Sequence, residues 1–263
     1  MTSARGESSR GDRRTRALRG GAVILGVIAL WQIIVSLELY TPILLPSPGR
    51  VLEAAVALIA NGRLFEYTLV SMWRVFAGFL VAVAIAVPLG ILIGWSSRAD
   101  HYLGPLIELI RPVPPLAIFP LVILWLGIGD PARIAVITYG CFFPILISTT
   151  VGVRGVEPTL VRAARSLGAS HRRVFTRVVI PAAVPSIVAG LRVGAGLAFF
   201  VLVAAELIAS NSGLGFLILD ASQRLRSDQV FVGIITIGLL GLIINRGLLQ
   251  LEVRIVGHRR PTE

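Results

Sequence analysis

Residues 187–209 read IVAGLRVGAGLAFFVLVAAELIA, a run in which only Arg192 and Glu206 carry charge. A helix that crosses the hydrocarbon core of a bilayer needs about 20 mostly apolar residues, and this run has that length and composition. Five further stretches share its character, near 21–40, 68–95, 103–127, 134–152 and 229–250. The whole chain agrees, with 55% hydrophobic and 15% charged residues, against about 45–50% and about 25% in soluble domains. The expected fold is all-α: a polytopic membrane helical bundle of about six transmembrane helices. Its 263 residues leave no room for a sizeable soluble domain besides.

Two of the six runs need comment. The first follows a polar, arginine-rich segment from Met1 to Arg19 and ends in Leu37-Glu38-Leu39-Tyr40. It is too long for a signal-peptide core and lacks a small-residue cleavage site, so it reads as a retained span. The third is interrupted by Pro105, Pro112, Pro114, Pro115 and Pro120. Each proline removes a backbone donor and clashes with the preceding turn, so no single regular helix can run through it. A broken helix at membrane depth is tolerated where it packs in protein or faces a water-filled cavity. The break is therefore either a kinked packing element or a wall of a translocation path.

Every basic residue is an arginine, and the formal net charge is +11. On a soluble protein that would point to nucleic acid; here the arginines collect in short segments between apolar runs, and no nucleic-acid partner is expected. The N-terminal segment holds Arg5, Arg10, Arg13, Arg14, Arg16 and Arg19, and the loop after the second run holds Arg98. The loop after the fourth run adds Arg154, Arg162, Arg165, Arg172, Arg173 and Arg177, and the C-terminal segment adds Arg254, Arg259 and Arg260. With six spans all of these lie on one side; the other holds Arg50, Arg63, Arg133, Arg224 and Arg226. Arginine-rich loops stay cytoplasmic, so both termini are expected in the cytoplasm. The implied layout is a basic cytoplasmic tail at 1–20, one membrane domain at 21–252 with a cytoplasmic loop at 153–186, and a second tail at 253–263.

Two segments on the outer side exceed simple turns. Ser47–Gly62 reads as a helix opened by Ser47-Pro48, with Val51, Leu52, Ala55, Val56, Leu58 and Ile59 as a broad apolar face. Asn211–Gln229 places Gly213 and Gly215 before Phe216, Leu217 and Leu219. Both fit short amphipathic helices at the outer interface, or a docking surface for an external partner.

The cytoplasmic loop carries the functional signal. Glu157-Pro158 opens a helix, since proline suits its first position and an acid the positive end of its dipole. Leu160, Ala163, Ala164 and Leu167 recur at helical spacing, and Gly168 stops the helix. Ser170 is placed to cap a second helix with Val174, Phe175, Val178 and Val179 on its apolar face; Pro181 is expected to end it. The result is a helix-turn-helix elbow edged by arginines able to pair with acids of a partner.

Arg162-Ala163-Ala164-Arg165-Ser166-Leu167-Gly168, followed by Ala169 and, after the second helix, Val178-Val179-Ile180-Pro181, resembles the "EAA" loop of ABC-importer permeases. Arg162 stands where that motif has its glutamate, so no role of the acid carries over. Leu45-Pro46-Ser47-Pro48, Arg111-Pro112-Val113-Pro114-Pro115-Leu116-Ala117, Pro120 to Gly129 and Ala204-Ala205-Glu206-Leu207-Ile208 are similar to the branch importing taurine, other sulfonates and nitrate, and most similar to taurine permeases. The resemblance covers about 44–250 and implies a type I ABC importer permease in the bacterial inner membrane. It implies a homodimer, two cytoplasmic ATPase subunits that hold ATP and Mg, and an extracytoplasmic binding protein. It makes Arg162 to Ala169, with Pro181, the ATPase-coupling segment. No GxxxxGK[ST] phosphate loop occurs here, so this chain is expected to bind no cofactor and to catalyse no chemistry itself.

Arg74, Arg111, Arg192 and Arg246, with Glu108 and Glu206, fall within or at the ends of the runs. A charge at the bilayer centre costs about 2.5 kcal/mol or more, so each should be paired or wet. Glu108 and Arg111 are spaced to pair on one helix face. For an anionic substrate, Arg111, Pro114 and Pro115 are path candidates; Glu206 has the wrong sign for an anion's site and suits a structural pair, though its depth keeps it among the path candidates. Cys141 lies within an apolar run, so no disulfide can form within the chain. His101, His171 and His258 have no ligand spacing, so no metal site is expected. Other readings are the same machinery importing nitrate, bicarbonate or a pyrimidine precursor, an ATP-independent secondary transporter, and a membrane enzyme. The last would need a catalytic constellation at depth, which the aspartates at 12, 100, 130, 220 and 228 do not supply.

Overall fold

A computed structural model of the chain describes residues 22, 23 and 25–256, with side chains described as far as residue 250. The expected tail at 1–20 lies outside the described residues, as does most of 253–263. The described residues are helical and contain no strand. The helices are α1 (Leu25–Ser36), α2 (Pro48–Ala60), α3 (Arg63–Trp95), α4 (Ser97–Ile110), α5 (Pro115–Leu126) and α6 (Asp130–Arg154). There follow α7 (Pro158–Ser166), α8 (His171–Val174), a π-helical turn (Phe175–Val179), α9 (Ile180–Ala209), α10 (Leu214–Gln223) and α11 (Ser227–Val256).

Four helical stretches are long and apolar enough to cross a membrane: Arg63–Trp95, Asp130–Arg154, His171–Ala209 and Ser227–Gln250. A fifth crossing is the pair α4 and α5, bent by 95° at the proline break. Arg111-Pro112-Val113-Pro114 separates the two, as the proline spacing requires. The first apolar run is described only as the short helix Leu25–Ser36; the start of that run lies outside the described residues.

The bundle is built on α6, which packs against α3 on one side and α9 on the other. Small residues permit that closeness. A Cβ added at Gly90 of α3 would stand 2.7 Å from Thr149 Cβ and 2.8 Å from the Leu146 carbonyl oxygen of α6. One added at Gly194 of α9 would meet Ile145 Cγ1 at 2.8 Å. Lipid tails are as apolar as leucine, so helices in a bilayer associate through close packing and hydrogen bonds, and small residues bring the backbones together. Ala82, Ala86, Ile137, Cys141, Ile145, Leu146, Ala198 and Leu202 fill the seam.

At one end of the bundle α2 and α10 share a cluster with α11 and the start of α3, made of Leu58, Tyr67, Leu214, Leu217 and Val232. The Ser47 hydroxyl accepts from the Arg50 N–H at 3.3 Å and caps α2. Helices are thus present within both Ser47–Gly62 and Asn211–Gln229, and they are packed against the bundle.

Two expectations fail. Pro181 does not end the second helix of the loop: helix continues from His171 to Ala209 as one 39-residue stretch. In a regular helix the proline ring clashes with the carbonyl four residues back. The wider π turn just before it moves that carbonyl aside, so the helix passes through. The Glu108–Arg111 pair is the second: the ion pairs among the described residues do not include it. Both side chains are exposed, and Arg111 already lies past the last residue of α4.

Gly90→Val is expected to destabilise the chain by at least about 1–3 kcal/mol, the usual cost of overpacking, because backbone cannot yield to the new methyls. A lowered midpoint in thermal denaturation of the detergent-purified protein checks this.

Candidate coupling and translocation sites

The elbow is a helix, a turn and a second helix, held at its root. Glu157 occupies the N-cap of α7 and accepts from the Thr159 hydroxyl at 2.6 Å. At the other end the Ala169 N–H donates to the Ala164 carbonyl at 3.0 Å and the Gly168 N–H to the Arg165 carbonyl at 2.9 Å. This is the Schellman arrangement, which places its C′ residue in the left-handed region. That residue is Gly168, with φ +75°.

Ser170 stands at the N-cap of α8 with extended backbone, but its hydroxyl makes no capping bond. Inward, Val161, Ala164 and Ala169 pack on Val153, Val174, Val179 and Ala183. Outward, Arg162, Ala163, Arg165, Ser166 and Leu167 are exposed, and Leu167 is 88% accessible. The face therefore presents an apolar tip between the guanidinium groups of Arg162 and Arg165. Pro181 sits apart from this face, half-buried at the root of α9.

Aromatic and ionic contacts tie the elbow to the spans. The Trp95 ring, ending α3, lies 4.8 Å from His171 and 5.1 Å from Phe175, centroid to centroid. Arg154 at the end of α6 is ion-paired with Asp100 of α4.

A buried ionic centre occupies the opposite end, where α6 begins and α9 finishes. Tyr67, Ser71, Arg74, Gly78 and Ala82 form one buried stripe of α3. Arg74 is 2% exposed and Glu206 of α9 is fully enclosed; the Arg74 Nη1 donates to Glu206 Oε1 at 2.6 Å. Arg74 also donates through Nε to Asp130 Oδ1 at 2.8 Å, through Nη2 to the Ser212 hydroxyl at 2.9 Å, and through Nη1 to the Ser212 carbonyl at 2.8 Å. The Glu206 carboxylate accepts from the Ser71 hydroxyl at 2.9 Å and from the Gly215 N–H at 2.8 Å. Arg133, also buried, pairs with Asp130 at 3.0 Å and donates to the Ala209 carbonyl.

Sequence reasoning asked for a partner for Arg74 and did not find this one. It assigned Asp130 to a loop and Arg133 to the outer surface. A usable signal was depth: Arg74 lies in the first half of α3 and Glu206 in the last turn of α9, and the two helices run in opposite directions.

Of the path candidates, Arg111, Pro114 and Pro115 come together and Glu206 does not join them. The three line a groove of about 350 Å³ with Val113, Tyr139 and Phe143 among its walls. The Tyr139 hydroxyl donates to the carbonyls of Ile110 at 3.0 Å and Val113 at 3.1 Å across the helix break, where the Val113 N–H also donates to the Ile110 carbonyl at 3.1 Å.

Truncating one partner of a buried pair strands the other charge, at a cost of about 3–5 kcal/mol. Glu206→Leu is expected to lose about that much, and Glu206→Gln, which keeps an acceptor for Arg74, distinctly less. The order of their denaturation midpoints in detergent checks this.

Residues 86–256 match the family described as binding-protein-dependent transport system inner membrane component. The chain is 36% identical over 253 residues to a putative aliphatic sulfonates transport permease protein of Bacillus subtilis, covering 96% of this chain and 92% of that one. It is 38% identical over 234 residues to the taurine transport system permease protein of Escherichia coli, covering 87% and 85%. Among solved structures, a chain of the MetNI methionine ABC transporter in an inward facing conformation superposes with a TM-score of 0.62 at 17% identity, over 70% of this chain and 92% of that one; at that identity the likeness is one of fold. With its apolar helices, its bundle and these relatives, the chain belongs to the inner membrane components of binding-protein-dependent transport systems, as a multi-pass ABC importer permease subunit rather than an enzyme.

Proposed function

We propose that this chain forms the membrane path of an importer for a small sulfonate, as a pair of copies served by two cytoplasmic ATPase subunits and an extracytoplasmic binding protein. ATP and Mg are held by the ATPases. The observation that carries the coupling part is the outward face of α7, where Leu167 and the arginines at 162 and 165 project from a helix capped by Gly168. Residues 162–169 seat in a cleft of the ATPase, and the loop 153–186 is the coupling region, with Pro181 at its root. The arginine bias places that loop and both termini in the cytoplasm, so the ionic centre lies at the outer end. The membrane domain spans 21–252, flanked by the basic tails 1–20 and 253–263.

ATP-driven closure of the ATPase pair moves α7, and alternating access follows. Sulfonate as substrate rests on the resemblance to the taurine and aliphatic sulfonate permeases across most of the chain.

The test is ATPase stimulation in liposomes by the full complex with its binding protein, across taurine, alkanesulfonates, nitrate and bicarbonate. Stimulation by a sulfonate is expected; stimulation by nitrate or bicarbonate alone would reassign the substrate. Failure of the ATPase to co-purify would remove the coupling role of α7 and reopen a secondary transporter. Gly168→Asp puts a side chain where φ is +75° and an acid at the ATPase contact. It is expected to abolish uptake while the protein stays inserted, as measured by transport in vesicles beside membrane fractionation.

A further inference from the structure

The groove at the α4–α5 break has chemistry that the importer reading leaves unused. Its depth follows from α6. Tyr139, whose hydroxyl holds the carbonyls of Ile110 and Val113, lies about 13 Å along α6 from its start at Asp130, at 1.5 Å per residue. About 22 Å of the same helix remains before Arg154. The backbone that carries Arg111 is therefore held at mid-bundle depth.

The Arg111 side chain has no carboxylate partner among the described ion pairs, and it opens on the groove. A cation at such depth is too costly against lipid, so it must face water, another protein group or an anion. The walls beside it are apolar: Val113, Pro114, Phe143 and Phe200 among them. None of the lining residues is acidic.

We propose that this groove is the intramembrane subsite for the substrate's sulfonate head and a short hydrocarbon tail, taking alkanesulfonates ahead of aminosulfonates; this rests on the importer reading. Arg111 pairs with the sulfonate oxygens, a planar fork of donors meeting an oxyanion. The apolar wall then covers the alkyl chain. An ammonium on that chain, as in taurine, finds no acid there and must give up its water, which is costly for a charge without a partner. Nitrate meets the guanidinium but has no tail to bury.

The test uses the whole permease–ATPase complex in detergent, with Cys141→Ala to remove the native thiol and Val113→Cys as a reporter in the groove. The reporter is alkylated with a water-soluble thiol reagent with and without butane-1-sulfonate, taurine or nitrate. Butane-1-sulfonate is expected to slow labelling about tenfold at roughly ten times its Kd, since only the free site reacts. Taurine and nitrate at the same concentration should slow it less than twofold, by the same relation.

Arg111→Gln should lose the protection and Arg111→Lys should keep part of it, in complexes that stay monodisperse. Equal protection by taurine would overturn the selectivity. No protection by any ligand, in a complex whose ATPase still responds to loaded binding protein, would overturn the subsite and leave the importer reading intact. Dissociation of the paired copies by Arg111→Gln without ligand protection would assign the guanidinium to the contact between copies instead. If no loaded binding protein stimulates the unmodified complex, the importer reading itself falls.

Discussion

Arg74 and Glu206 are joined out of reach of water, and the cost of putting them there explains much else in the chain. Desolvating each ion costs several kcal/mol, and attraction between them offsets it only when every remaining donor and acceptor is also matched. Matching has been carried through. The carboxylate takes bonds from Arg74, Ser71 and the Gly215 N–H; the guanidinium gives others to Asp130 and Ser212. Ser71 then accepts from the Leu214 N–H at 2.8 Å, so the start of α10 is fixed by the same group. The glycines follow from this. A Cβ on Gly215 would stand 2.6 Å from Glu206 Cβ, and Gly213, at φ +104°, has Glu206 Cδ at 2.6 Å from where its Cβ would be. One ion pair thus sets the register of α3 against α9, draws in the first turn of α6 and dictates residues in a loop.

The other end is held differently. There the contacts are aromatic and ionic at the surface, between Trp95, His171 and Phe175 and between Arg154 and Asp100. The Arg154–Asp100 pair, about half exposed, is of a kind worth about 0–1 kcal/mol, and the buried cluster of Val153, Val174, Val179 and Ala183 holds the root of the elbow. Because helix is continuous from His171 to Ala209, the second arm of the elbow and α9 are one rod. The π turn at Phe175–Val179 interrupts its regular hydrogen-bond pattern, and such turns recur at functional positions. On the proposed coupling role of α7, a displacement there would enter α9 directly and meet the Arg74–Glu206 centre at the far end.

The sequence made legible whatever depends on local chemistry. Apolar runs gave four spanning helices and the bent pair α4–α5, while the first of the six is described only as the short helix Leu25–Ser36; five prolines gave the break, and Pro158 and Gly168 gave both ends of α7. Pro181 misled because its effect depends on the turn before it, and nothing in Phe175-Thr176-Arg177-Val178-Val179 announces a π turn. The ionic centre was legible only in part: an arginine in an apolar run demands a partner, but Glu206 lies 132 residues away and Asp130 lies 56. Asp130 read as a loop residue because it falls between the apolar runs at 103–127 and 134–152, although Pro131 at the first turn is where a helix begins. The pair Glu108–Arg111 failed for the opposite reason. Spacing allowed it, and Arg111 keeps helical backbone at the C-cap of α4, but both side chains are exposed and nothing among the described residues draws them together.

If an external binding protein captures the solute, as proposed, that division of labour bears on how strong the groove should be. A path must bind well enough to accept a solute and weakly enough to release it. A charge-assisted hydrogen bond contributes about 1.5–3 kcal/mol net, and each buried methylene about 0.8 kcal/mol. One guanidinium with two or three methylenes against Phe143 and Phe200 then supplies about 3–5 kcal/mol, corresponding to a Kd near a millimolar. A second cation or a counter-charge for an amine would tighten this toward the affinity of a receptor and slow release. A single arginine amid apolar walls is therefore suited to passage, and on the proposed reading tight capture would fall to the binding protein while the groove would select by which solutes it rejects.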